Sequence, residues 1–133
     1  VVEGPCWTEI ACTYNEVPLL VRPHTILPMG SVDTRPDYSY TDNVEFEVYQ
    51  LDDNKEARVV IPDQSGAPVA SLRIQKRGGI YDIKSEEELE RWSVLLVGVS
   101  GDGTILSGHG AVEMTDRGMR IQAHTHSLEI GVL

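Results

Sequence analysis

The chain has 133 residues, 41% of them hydrophobic, with 11 Lys and Arg against 21 Asp and Glu for a formal net charge of −10. That length supports one buried core, or one core with a small neighbour, and the hydrophobic content argues against wholesale disorder. An acidic surface repels phosphate backbones and anionic lipids, so neither nucleic acid nor a membrane surface is expected as a partner. No run approaches the ~20 consecutive apolar residues that span a bilayer.

In chain order, Val1-Val2-Glu3-Gly4-Pro5 carries neither a basic leader nor an apolar h-region, so no signal peptide is read there. Cys6 and Cys12 are the only cysteines. On one extended strand they would lie roughly 20 Å apart, beyond disulfide reach, and no turn residue separates them. Two free, partly buried thiols are expected, which favours a reducing, cytoplasmic setting. The run Val17-Pro18-Leu19-Leu20-Val21-Arg22-Pro23-His24-Thr25-Ile26-Leu27-Pro28-Met29-Gly30 reads as an apolar strand, a proline-marked turn, a second short apolar strand and a glycine stop. Residues 31–43 concentrate turn formers and break the alternation, as a connector would.

Val44 to Tyr49 then alternates apolar and acidic residues, the pattern of a strand with one face on a core and one in water. Asp52-Asp53-Asn54-Lys55 supplies turn chemistry, and Ala57, Val59 and Ile61 resume the alternation, so a hairpin is expected. A turn at Pro62 to Gly66 leads to Ala70, Leu72 and Ile74 on one face, and Gly78-Gly79 reverses the chain before Ile80 to Ile83. Ser85 to Arg91 is the one helical candidate, with Ser85 as N-cap and Glu88 completing a capping box. It holds a single apolar residue, Leu89, so a short helix or an irregular excursion is expected rather than a packed helix. Val94-Leu95-Leu96-Val97 is apolar on both faces and suits a strand covered on both sides. After a loop at Ser100 to Gly103, strand patterns recur around Val112 and Met114, over Met119 to Ala123, and over Leu128 to Val132. Many short strands with frequent turns predict an all-β, antiparallel β-sandwich.

Residues able to carry chemistry are sparse. Glu45 and Glu47 share a strand face at ~7 Å, but alternating acids on a strand are ordinarily a solvated row. Asp52, Asp53 and Asp102 are turn acids, too few for a calcium loop. His124 and His126 share a face, with His109 on a possible neighbour, yet no cysteine or carboxylate stands at zinc-ligand spacing. No serine lies in a nucleophile elbow, and Gly101-Asp102-Gly103-Thr104 lacks the third glycine and the helix of a phosphate loop. Trp92 opens the most apolar strand and is expected in the core. Tyr38 and Tyr40 alternate on one face of the connector and are the best candidates for an exposed aromatic patch.

The Val17–Gly30 run, the Arg35-Pro36-Asp37-Tyr38 element beyond it, and the strand Val44 to Asp53 together resemble family-thirty-one glycoside hydrolases, above all the α-xylosidases. The resembling segment is the part that follows the catalytic barrel. It implies that residues 1–30 end a proximal C-terminal β-sandwich of which only a partial strand segment is present, that 31–43 connect, and that 44–133 form the distal C-terminal β-sandwich. The family's retaining hydrolysis uses two barrel carboxylates, so the resemblance implies no catalytic residue and no metal or other cofactor in this chain. It implies the parent's catalytic barrel as partner, with subunit packing in a homo-oligomer also possible. Pro18 to Met29, Arg35, Asp37 and Tyr38 are the expected docking surface. An independent carbohydrate-binding module, with Tyr38 and Tyr40 meeting sugar, is the alternative.

Overall fold

The computed structural model describes residues 1–133 and is all-β. Its strands are β1 (Thr25–Met29), β2 (Val44–Tyr49), β3 (Glu56–Pro62), β4 (Pro68–Arg77), β5 (Ile80–Ser85), β6 (Trp92–Val97), β7 (Gly103–Ser107), β8 (Gly110–Thr115), β9 (Gly118–Ala123) and β10 (Ser127–Val132). They form two five-stranded sheets, ordered β1-β2-β6-β9-β8 and β3-β4-β5-β10-β7. Every pairing is antiparallel except β2 with β6, which run parallel. The expected sandwich is therefore present, with one parallel seam near the middle of the first sheet.

The core follows from period-two alternation on facing strands. Across the first sheet Phe46 lies opposite Val94, and Val94 opposite Ile121; Val48, Leu96 and Met119 form the next row. The second sheet answers with Leu72, Ile74, Ile83, Leu128 and Ile130, all fully buried. Trp92 is 1% exposed, as its sequence setting predicts, and meets Phe46 edge-on with ring centroids 6.1 Å apart. One core results, and it draws on both sheets.

β6 is covered on its outer face as well. Leu95 points away from the core yet is 0% exposed, flanked in register by Glu47 of β2 and Arg120 of β9. Glu47 is itself buried, and Glu45 is half-buried. Arg120 donates to Glu45 at 2.6 Å, and Arg117 donates to Glu47 at 2.7 Å. The Tyr49 hydroxyl donates to the second oxygen of Glu47 at 2.6 Å, and Ser93 adds a bond to Glu45. The alternating acids are thus not the open solvated row that their pattern predicts. Arginines reaching over from β9 and from the turn before it close that face. The Arg117 guanidinium, then the Tyr49 hydroxyl, hold the Glu47 carboxyl below its ordinary range, and Glu47 pushes the Tyr49 phenol up.

Turn chemistry explains the hairpins. β3–β4, β4–β5 and β8–β9 close as the alternation predicts. In the last, Gly118 has φ 142° and a Cβ there would strike the Leu96 carbonyl of β6, so only glycine lets β9 start against its neighbour.

Three expectations fail for physical reasons, and one open reading is decided. Val17 to Val21 forms no strand, because the first sheet ends at β1 and offers that run no partner. β2 and β3 do not make a hairpin: they lie in different sheets, and residues 50–55 cross between them. Gln50 and Asn54 take left-handed conformations in that crossing, Leu51 drops into the core, and Asn54 donates to the Lys76 carbonyl at 2.9 Å. Between β5 and β6, Ser85 to Arg91 takes the irregular excursion, one of the two readings its sequence left open, and not the short helix. Arg58 and Ser71 bind the Glu86 carboxylate, the Ser71 N–H donates to the Glu87 carboxylate, and the Ser85 hydroxyl donates to the Glu87 carbonyl, so this stretch is tied to β3 and β4 instead of coiling. Cys6 and Cys12 are free as expected but exposed, since nothing packs on residues 1–20. β7 had no sequence signal in the loop reading; it is short and pairs only with β10.

Phe46→Ala should destabilise the sandwich by about 3–5 kcal/mol, read as a lower urea midpoint at unchanged slope. Because the folded Glu47 carboxyl sits below its ordinary 4.5, its contribution is fully present above that pH and is lost as pH falls through the folded value. Glu47→Gln should therefore lower stability at pH 7 and flatten its loss between neutral and acidic pH. Arg117→Ala, which leaves a buried carboxylate short of a partner, should cost about 1–3 kcal/mol at pH 7.

Candidate functional site

Residues 31–43 carry no strand and wrap one end of the sandwich between β1 and β2. Their hydrogen bonds are local: Ser31 donates to the Asp42 carbonyl at 3.0 Å, the Asp42 N–H to the Ser39 carbonyl, and the Tyr40 hydroxyl to the Pro36 carbonyl at 3.0 Å. Arg91 fixes the far end by donating to Asp42 at 2.8 Å.

Of the four predicted site residues, the structure brings two together. Tyr38 and Tyr40 meet edge to face with centroids 5.1 Å apart, both half-buried, and Tyr40 also packs on the core. Tyr38 lies over Gly30, where any Cβ would collide with the phenol oxygen. The glycine stop of the sequence is thus a seat for that ring. Arg35 and Asp37 are exposed and take part in no ion pair or hydrogen bond.

Two depressions flank the tyrosine pair. One, of about 460 Å³, is lined by Tyr38, Ser39, Tyr40, Thr41, Asp63, Gln64, Ser65 and Val69. The other, of about 480 Å³, is lined by Val32, Asp33, Thr34, Arg35, Pro36, Tyr38 and Tyr40. Residues 63–69 were legible in sequence only as a turn, so their place opposite the tyrosines is new. Asp63 organises that turn. Its Oδ1 accepts from the Ser65 N–H at 2.8 Å, the Ser65 hydroxyl at 2.6 Å and the Ala67 N–H at 3.0 Å. The Ser65 hydroxyl first, then the Ala67 amide, hold the carboxyl below its ordinary range. The Asp-x-Ser-Gly order was the available signal, being that of an Asx turn.

The remaining candidates do not converge. Glu45 and Glu47 have their oxygens engaged by Arg120, Ser93, Arg117 and Tyr49, the pattern of a structural ion-pair cover. His124 and His109 meet through backbone alone, the His124 N–H donating to the His109 carbonyl at 2.9 Å. His24 pairs with Asp52 at 2.9 Å where the chain enters β1. No three His, Cys, Asp or Glu side chains stand together as a metal site. Asp102 and Gly103 lead into β7, with the Asp102 carbonyl accepting from Leu133.

The comparisons with known proteins agree with this architecture. An α-xylosidase, XylQ, from Lactiplantibacillus pentosus is 26% identical over 99 residues, covering 74% of this chain and 11% of that enzyme. The chain thus spans about a ninth of the length of the curated relative it matches. The family model described as alpha-xylosidase YicI, C-terminal domain, matches residues 39–132. The matched span takes in Tyr40, Asp63 and all strands from β2 to β10, and leaves Arg35, Asp37 and Tyr38 just outside. With most of its sandwich matched, this chain belongs to the α-xylosidase YicI C-terminal domain family.

Proposed function

We propose that the chain is a non-catalytic C-terminal region of a retaining α-xylosidase-like glycoside hydrolase, and that it buttresses the catalytic barrel of a longer enzyme. One observation carries this reading: an extended arm of residues 1–20 holds its apolar side chains out of the fold. Trp7 and Tyr14 are fully exposed, and Val17, Leu19 and Leu20 are 79%, 82% and 69% exposed. Five large apolar side chains on one unstructured run have no favourable place in water, and burying each stabilises by about 1.5–3 kcal/mol. A preceding domain of the same polypeptide is the natural cover, since this chain covers only 11% of the related enzyme.

In this reading residues 1–30 complete a proximal β-sandwich, 31–43 connect, and 44–133 are the distal sandwich. β1 would then tie the two together, since it hydrogen-bonds to β2 while its N-terminal extension docks elsewhere. Arg35 and Asp37, solvated and unpaired, are suited to polar contacts with the barrel, and association between enzyme subunits is a further use of the same surface. Hydrolysis itself, and the choice of xyloside or glucoside, would belong to the barrel's carboxylates. The engagement of Glu45 and Glu47 by arginines supports that division of labour.

This chain alone should not turn over an aryl α-xyloside; a measurable rate would overturn the proposal. In the longer enzyme, Leu19→Asp with Leu20→Asp should lower the inactivation temperature of the whole protein while leaving the melting of the isolated chain unchanged. Equal loss in both would mean that the arm packs on its own sandwich.

A further inference from the structure

The depression between the tyrosine pair and the 63–69 turn has a composition that structural support does not require. One wall is aromatic, from Tyr38 and Tyr40; the others bring Asp63, Gln64 and the hydroxyls of Ser39 and Thr41. No lysine or arginine lines it. Its walls are held in place independently of any ligand. Tyr40 is tied to the Pro36 carbonyl, Tyr38 is seated on Gly30, and Asp63 is gripped by three donors through Oδ1 alone. Asp63 Oδ2 takes part in no hydrogen bond, so an ionised carboxylate keeps one oxygen available beside two phenol rings.

We propose that this depression is a subsite for one ring of a neutral sugar. A pyranose offers an apolar C–H face that packs on an aromatic ring and vicinal hydroxyls that donate to a carboxylate oxygen. Gln64 supplies a donor and an acceptor for the remaining hydroxyls, and the Ser39 and Thr41 hydroxyls, 3.3 Å apart and bonded to each other, keep one free donor hydrogen and spare lone pairs between them. The lone carboxylate and the absence of a cation exclude phosphorylated or acidic sugars by repulsion. At about 460 Å³ the space holds a monosaccharide with water at its open side, and fits the range of small-molecule sites. The subsite adds to the buttress role and does not rest on it, since it is built entirely within this chain.

The test uses the 133-residue chain with D-xylose, D-glucose and a xylo-oligosaccharide as probes, followed by backbone amide NMR. Saturable shifts confined to residues 38–41 and 63–69 are expected, with binding weakened ~10-fold or more in Tyr38→Ala and several-fold in Gln64→Ala. Gln64 is exposed, so its variant tests the subsite without disturbing the fold. Three results would overturn the inference: no shift at high sugar concentration, shifts elsewhere on the surface, or a preference for tetramethylammonium. The last would make the pair of rings and Asp63 a cation site. None of these outcomes bears on whether the N-terminal arm docks to a barrel.

Discussion

The molecule depends on β6 being covered on both faces. Its inner side chains, Trp92, Val94 and Leu96, enter the shared core, while Leu95 on the outer side is shut away among Glu47 and Arg120. A central strand with apolar residues on both faces would be an aggregation hazard if either face were bare. Here one face is closed by a second sheet and the other by charged side chains bridging its two neighbours. The parallel pairing of β2 with β6 sets Glu47 level with Leu95, and the antiparallel pairing with β9 sets Arg120 level from the other side. Register, core packing and the ion-pair cover are therefore one interlocked arrangement.

That closure contrasts with the N-terminal arm. From β2 onward most large apolar side chains enter the core, and those that stay exposed include Val60, Val69, Ile80, Leu106 and Met114. Before Thr25 the order is reversed, with Trp7, Tyr14, Val17, Leu19 and Leu20 all held in solvent. The two stretches thus differ sharply in how much apolar surface they bury. The family match begins at residue 39 and so leaves outside it both the N-terminal stretch and β1, although β1 pairs with β2 and places Ile26 in the core.

Residues 31–43 lie between these two stretches and are fixed at several points. Gly30 yields its side-chain volume to Tyr38, Tyr40 anchors to both the core and the Pro36 carbonyl, and Asp42 is pinned by Arg91. A loop made this rigid can present side chains with little entropy left to lose on contact.

Local pattern carried much of the fold. The alternation in Val44–Tyr49, Ala70–Ile74 and Met119–Ala123 announced half-buried strands, Gly78-Gly79 announced a reversal, and Val94 to Val97 announced a strand hidden on both sides. Tyr38 and Tyr40 were legible as a pair because period two places them on one side. What stayed hidden was everything that depends on a distant partner. Residues 52–55 have turn chemistry whether the chain folds back on itself or crosses to another sheet, and only sheet assembly chose the crossing. The Ser85 hydroxyl, readable as a helix cap, instead donates to the Glu87 carbonyl, while Arg58 and Ser71 hold Glu86. Glu47 looks like any acid on a wet strand until Arg117, 70 residues away, is brought over it. Asp63 lines a depression with the tyrosines only because the turn between β3 and β4 is brought beside residues 38–41. Periodicity is a property of neighbours in the chain, whereas burial, pairing and enclosure are properties of neighbours in space. The first is written in the residues, and the second exists only once the two sheets have closed on each other.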